Sequence, residues 1–151
     1  MIENPYFSYA QSFEKIITGG KDLPFGGLPP IEKTLVQEDA PVVLIMSPHP
    51  DDECIIGGFP LRLMHETGVR VVNVAVTLGS KLDRKAERLE ELKKACDWIG
   101  FELQETKPGG LDKINLKNRK ENPIEWAESV KIIAKIIKKW NPQAIFFPHA
   151  N

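Results

Sequence analysis

The chain has 151 residues, of which 42% are apolar and 27% are charged, and its formal net charge is -1 at neutral pH. This length and composition are typical of one globular domain with a full hydrophobic core. A nucleic-acid-binding surface would require clustered basic residues, and the balanced charge gives no sign of one.

The first forty residues are predicted to form a short helix and an irregular arm. Residues 5–18 have apolar side chains at helical spacing, begin at a proline and are followed by Gly19 and Gly20. The segment at 23–30 is rich in glycine and proline, which is typical of irregular structure. We therefore assign residues 1–40 to an N-terminal helix and arm that precede the main domain.

From residue 41 onward, predicted strands and helices alternate. The apolar run at 42–46 is typical of a parallel strand that is buried on both faces. The elements that follow are a helix at 55–67, a strand at 69–77, a helix at 83–99, a strand at 101–104, a polar loop at 105–122, a helix at 123–140 and a strand at 144–147. This order predicts an α/β fold with a doubly wound, Rossmann-like parallel sheet and helices on both faces. Because such a sheet should not end on a strand, we expect the domain at 41–151 to be incomplete at its C-terminus.

The most informative motif is the sequence SPHPDDE at 47–53, directly after the first predicted strand. It places one imidazole and three carboxylates at the C-terminal edge of the sheet, where open α/β sheets bind ligands. Histidine nitrogen and aspartate oxygen suit zinc or a similar divalent cation, and a further carboxylate remains to move a proton. The alternative is a polar turn that caps a helix with acidic residues. A cap, however, needs only one such residue.

The motif resembles the signature of the PIG-L/LmbE-like deacetylases, zinc-dependent enzymes that remove N-acetyl groups from amino sugars. The residues that carry the resemblance are HPDDE at 49–53 with Gly57 and Gly58, Thr77 and Gly79 after the second strand, Arg88 and Glu91 on the next helix, and FFPH at 146–149. The resemblance covers residues 41–151. We expect Gly57 and Gly58 to let the start of the helix pack tightly against the sheet.

The resemblance implies roles for the motif residues. His49 and Asp52 would bind the metal, and Asp51 would be the general base that acts on metal-bound water. Glu53 would orient the loop through backbone hydrogen bonds or support a metal ligand.

Two further residues are implied less directly. Arg88 would lie near the cleft, with a surface pair to Glu91 as the alternative. The third metal ligand of the family should follow the fourth strand, and the chain ends at Asn151. His149 either contacts the metal or lies at the strand end near the cleft.

The predicted function is therefore metal-dependent hydrolysis that removes an N-acetyl or other N-acyl group from an amino sugar or related small molecule. The 151-residue form is predicted to be inactive, since no third ligand matches the motif. A non-catalytic metal- or ligand-binding α/β module and a phosphoesterase are the alternatives. A nucleotide-binding module would have a Gly-x-Gly-x-x-Gly turn after the first strand, and a phosphoesterase would need a basic phosphate-binding group beside the motif. We expect a small-molecule substrate and neither a nucleic-acid nor a membrane partner, and leave a homo-oligomer open.

The cysteines and the remaining histidine are given ordinary structural roles. Cys54 and Cys96 have no metal-binding or redox spacing, which predicts reduced thiols in the cytoplasm. Cys54 is expected to be a small buried residue at a helix start, Cys96 a core residue, and His65 a solvated residue at a helix end. The sequence has no apolar run long enough for a membrane span, and its first residues lack the features of a signal peptide.

Overall fold

The computed structural model describes residues 4–23 and 32–148, and the chain divides into two units between residues 30 and 31. The first unit contains helix α1 (Pro5–Gly20), which confirms the predicted N-terminal helix and extends it by one half-turn. Asn4 caps this helix because its side chain accepts a hydrogen bond of 3.0 Å from the backbone N–H of Tyr6. The predicted arm at 23–30 lies outside the described residues apart from Leu23, and the predicted boundary after residue 40 stays a prediction.

The second unit contains one parallel sheet of four strands, which are β1 (Val42–Ser47), β2 (Arg70–Ala75), β3 (Glu102–Glu105) and β4 (Ala144–Phe146). Their order across the sheet is β3-β2-β1-β4, and every neighbouring pair is parallel. All six residues of the central strand β1 are buried, as its continuous apolar sequence predicts. The chain leaves β1 towards β2 on one side and returns to its other side as β4. Ligands of open α/β sheets bind outside the strand ends at such a reversal, so the end of β1 is the expected place for a site.

Helices cover both faces of the sheet, which confirms the predicted doubly wound α/β fold. The helices of this unit are α2 (Asp52–Ile56), α3 (Gly58–Thr67), α4 (Lys85–Ile99), α5 (Leu116–Glu121) and α6 (Pro123–Trp140). On one face, Leu44 and Val74 pack with Ile136 of α6. On the opposite face, Ile45 packs with Met64 of α3 and Leu92 of α4. In the described parts of the chain, no helix is both long and apolar enough to cross a membrane.

Two predicted elements are wrong, and each has a local cause. The helix predicted at 55–67 is two helices, because the chain turns at Gly57 and its carbonyl starts α3 by accepting a 2.8 Å hydrogen bond from Leu61. The loop predicted at 105–122 contains α5, whose first turn is capped by the side chain of Asn115 accepting the N–H of Asn118 at 2.8 Å. The remaining boundaries agree with the prediction to within two residues.

The two neighbouring glycines at the turn between α2 and α3 differ in the space around them. A Cβ on Gly57 would overlap the carbonyl oxygen of Glu53 and lie 3.3 Å from Cε2 of Phe101, whereas a Cβ on Gly58 would meet nothing within 4 Å. The turn is therefore tightly packed at Gly57, against α2 and Phe101 rather than the predicted sheet, and it is not tightly packed at Gly58.

This difference predicts opposite effects of the same substitution at adjacent positions. Gly57→Ala should lower the free energy of unfolding by about 1–3 kcal/mol, because the added methyl group overpacks the turn. Gly58→Ala should leave it unchanged or raise it by up to about 1 kcal/mol, because alanine restricts the unfolded chain. Urea unfolding of the two variants measures both values, and equal losses of stability would contradict the packing argument.

Candidate functional site

The motif loop, residues 48–53, follows the end of β1 and includes the first two residues of α2. Two of its carboxylates bind its own backbone: Oδ2 of Asp52 accepts the N–H of His49 at 2.7 Å, and Oε2 of Glu53 accepts the N–H of Asp51 at 3.1 Å. Asp51 has a φ of 100°, a left-handed conformation that is uncommon for residues other than glycine. Such conformations cluster at functional sites, where the surrounding structure maintains them.

The side chains of His49 and Asp52 lie close to each other. Nδ1 of His49 is 3.7 Å from Oδ2 of Asp52, and the exposed fractions of the two side chains are 67% and 14%. Two tetrahedral zinc ligands at about 2.0–2.2 Å from the ion are about 3.3–3.6 Å apart, so the observed spacing of 3.7 Å is slightly wider than a shared zinc ion requires.

A catalytic zinc site usually has three protein ligands. Among residues 4–23 and 32–148, no group of three or more His, Cys, Asp or Glu side chains could hold a metal ion. His149, a candidate from the sequence, lies outside the described residues. The described part of the chain therefore provides one imidazole nitrogen and one carboxylate oxygen whose chemistry suits a metal ion.

Two polar contacts lie at and beside the motif loop, one from Thr77, which follows β2, and one between β1 and β2. Oγ1 of Thr77 donates a 2.6 Å hydrogen bond to the carbonyl oxygen of Pro48. In the core, Oγ of Ser47 donates a 2.6 Å bond to Oδ1 of Asn73, which is 0% exposed, and Nδ2 of Asn73 donates to Sγ of Cys96 at 3.6 Å. The sequence reasoning missed Asn73. Its signal was a single amide within a run of valines.

Two cavities that share His49 adjoin the motif loop. The motif cavity, about 550 Å³ in volume, is lined by the loop from His49 to Cys54, except Asp52, and by Arg84, Arg88, Glu91, Leu92 and Ala95. The second cavity, about 360 Å³ in volume, is lined by His49, Arg88, residues 77, 79 and 80, and residues 111–115. His49 and Arg88 line both cavities, so the fold brings Arg88 close to the motif. Within the described ranges, Arg88 forms no ion pair with Glu91, the predicted alternative.

The segment at 106–115 is held against β2 and α4 by contacts that the sequence did not reveal. The N–H of Leu111 donates to the carbonyl oxygen of Val76 at 2.8 Å. Nζ of Lys85 donates to the carbonyl oxygen of Gly109 at 3.0 Å and to Oδ1 of Asp112 at 2.5 Å. These contacts place residues 111–115 along the second cavity.

The cysteines differ in their surroundings. Cys54 was predicted to be buried, and it is exposed. It lies in the first turn of α2, which starts at Asp52, and its Sγ is 3.5 Å from Oε1 of Glu53. Although the residue as a whole is exposed, partial desolvation of its sulfur, and then the Glu53 charge, raise the pKa of the Cys54 thiol. Cys96 is buried in the core as predicted, and burial raises the pKa of its thiol to about 11. Neither thiol has the depressed pKa of a reactive cysteine.

Comparison with known proteins gives one family match. The model of the family described as PIG-L: GlcNAc-PI de-N-acetylase matches residues 44–151. No curated protein sequence matches the chain.

Three solved structures are similar to the chain at low sequence identity. An N,N'-diacetylchitobiose deacetylase from Pyrococcus horikoshii, complexed with its inhibitor MPG, is 21% identical with a TM-score of 0.48 over 93% of this chain and 49% of its own. The conserved protein TT1542 from Thermus thermophilus is 21% identical with a TM-score of 0.49 over 72% and 47% of the two chains. A deacetylase of teicoplanin biosynthesis, in complex with teicoplanin, is 16% identical with a TM-score of 0.52 over 70% and 57%. The chain spans about half the length of these structures. The similarity to the deacetylase of teicoplanin biosynthesis, whose TM-score is 0.52, supports the fold.

Proposed function

The chain belongs to the PIG-L family, and from this premise we propose that it is a metal-dependent hydrolase that removes an N-acetyl or other N-acyl group from an amino sugar or related small molecule. The observation that carries the proposal is the geometry of the motif loop. His49 and Asp52 present a nitrogen and an oxygen 3.7 Å apart just after the central strand, and Asp51 lines the motif cavity together with His49.

Zinc, or another divalent metal, is the proposed cofactor. Its ligands would be His49, Asp52 and a third residue outside the described part of the chain. When bound, such a metal lowers the pKa of a bound water to about 7 and polarises the substrate carbonyl.

Asp51 is the proposed general base. The carboxylates of Asp52 and Glu53 accept backbone N–H groups of the loop, whereas that of Asp51 accepts no hydrogen bond from the described residues. It is exposed in the motif cavity and can therefore accept a proton from the attacking water. The water oxygen bonds to the acyl carbon, the C–N bond then breaks, and the proton passes to the departing amine.

Glu53 and Arg88 have supporting roles in this proposal. Glu53 is 3% exposed and fixes the backbone of Asp51 through the N–H bond described above. Arg88 lines both cavities beside His49, and its guanidinium would donate hydrogen bonds to an oxygen of the substrate.

Two alternatives are retained because specific observations favour them. The pair of ligands in the described residues favours a non-catalytic metal- or ligand-binding module. The fold also brings Arg84 and Arg88 into the motif cavity, a basic group that the sequence beside the motif lacks, and this favours a phosphoesterase. We further propose that the protein acts on a small molecule in the cytoplasm and has neither a nucleic-acid nor a membrane partner. A homo-oligomer is left open.

Zinc binding by the 151-residue chain tests the ligand assignment. We expect weak binding that is lost on dialysis, because the described residues supply two ligands, and we expect His49→Ala to abolish it. His65→Ala is the matched control, since His65 is a solvated residue at the end of α3. Calorimetric titration with zinc alone measures the affinity of each variant. Equal affinities for His49→Ala and the unchanged chain would remove His49 from the site.

Acetate release tests the reaction. The zinc-loaded protein, meaning a form that supplies the third ligand, should release acetate from N-acetylglucosamine derivatives and leave p-nitrophenyl phosphate intact, whereas the 151-residue chain should release neither acetate nor phosphate. Phosphate release without acetate release would favour the phosphoesterase, and zinc binding without either product would favour the non-catalytic module.

A further inference from the structure

The guanidinium of Arg88 occupies the space that a side chain at position 79 would fill. Gly79 follows β2 and has a φ of 80°. A Cβ on this residue would overlap Nη1 of Arg88 and would lie 3.1 Å from Cζ and 3.8 Å from Nε. No other residue type can stand at position 79 without displacing this guanidinium.

The position of Arg88 is that of a group available to a ligand. Together with His49, it lines both the motif cavity and the second cavity, so it lies at the boundary between them. It forms no ion pair with any residue in the described ranges.

The turn that contains Gly79 is also bonded to the motif loop. The N–H of Gly79 donates to Oγ1 of Thr77 at 3.1 Å, and the same hydroxyl donates to the carbonyl oxygen of Pro48 at 2.6 Å. Pro48 immediately precedes His49. The hydroxyl group of Thr77 therefore links Gly79, which lies beside the guanidinium of Arg88, to Pro48, which precedes the candidate metal ligand.

We propose that Gly79 is a positioning residue for the hydrolytic site. Because it has no side chain, the guanidinium of Arg88 can lie beside His49 and donate hydrogen bonds to an oxygen of the bound substrate. The role of Gly79 in hydrolysis rests on the proposed function, whereas its effect on the placement of the Arg88 guanidinium does not.

Gly79 could matter only for its positive φ, and the chain offers a control for that explanation. Gly68, which ends α3, has a φ of 69°, and a Cβ there would meet nothing within 4 Å. Gly68→Ala therefore introduces the same kind of backbone strain without displacing Arg88.

The experiment compares Gly79→Ala, Gly68→Ala, Arg88→Ala and the double variant Gly79→Ala/Arg88→Ala. The Nε–Hε NMR signal of Arg88 reports its position without substrate, and the hydrolysis of N-acetylglucosamine by the zinc-loaded protein gives KM and kcat. Gly79→Ala should shift the Arg88 signal, and Gly68→Ala should not. Gly79→Ala should also raise KM about tenfold or more with little change in kcat, because the substrate loses a hydrogen bond from a charged donor. In the Arg88→Ala background, Gly79→Ala should change KM by less than about twofold, since both substitutions remove the same interaction.

An unshifted Arg88 signal in Gly79→Ala, or a full additional effect on KM in the Arg88→Ala background, overturns the proposal. If Gly79→Ala fails to fold, the double variant, which lacks the guanidinium, should fold, and failure of both overturns it as well. The proposed function fails independently, when Asp51→Asn retains full activity. Deacetylation with an unchanged KM in Gly79→Ala overturns only the role of Gly79.

Discussion

Asp51→Asn should lower the rate of deacetylation by the zinc-loaded protein by about 10²–10⁴, the usual loss when a general base is removed. Asparagine keeps the shape of the side chain but cannot accept the proton of the attacking water. The zinc content should stay nearly unchanged, because the proposed ligands are His49 and Asp52. The left-handed backbone at residue 51 should also persist, since asparagine adopts that conformation readily.

Asp52→Asn is the comparison that separates the two neighbouring roles. We expect this variant to lose zinc, because Asp52 is a proposed ligand and its carboxylate also accepts the N–H of His49. Zinc content and turnover are measured in parallel for the two variants. If Asp51→Asn loses zinc and Asp52→Asn keeps it, the roles are reversed; full activity in Asp51→Asn would end the hydrolytic mechanism.

Most of the fold could be predicted because burial on both faces of a parallel sheet leaves a strong pattern. The five apolar residues at 42–46 identified the central strand, and its six residues are all buried. The proline at the start of α6 and the regular spacing of its apolar residues predicted that helix with its observed bounds. The short polar helix α5 has no such pattern, and its only signal was the cap at Asn115.

The candidate site could be predicted only where it is local in sequence. The motif loop holds His49, Asp51 and Asp52 on four residues of backbone, so its chemistry was visible. The contact between Thr77 and Pro48 joins residues 29 positions apart, and the one between Lys85 and Asp112 joins residues 27 apart. Such contacts depend on the register of the sheet and the placement of α4, which a pattern of residue types does not specify.

Asn73→Leu should lower the free energy of unfolding by about 2–4 kcal/mol. The change keeps a similar side-chain volume, but Oγ of Ser47, which is fully buried, then loses the acceptor that Asn73 provides at 2.6 Å. A buried hydroxyl without a partner costs about 1–3 kcal/mol, and the altered shape in a closely packed core adds to this.

The double variant Ser47→Ala/Asn73→Leu separates the lost hydrogen bond from the change of shape. When both partners become apolar, no hydroxyl remains unpaired, so the double variant should be more stable than the sum of the two single changes predicts. Urea unfolding of the four proteins gives a coupling energy, which we expect to be about 1 kcal/mol or more. If the losses simply add, the Ser47–Asn73 bond does not stabilise the end of β1, and the polar contact that remains beside it is the bond from the Thr77 hydroxyl to the carbonyl oxygen of Pro48.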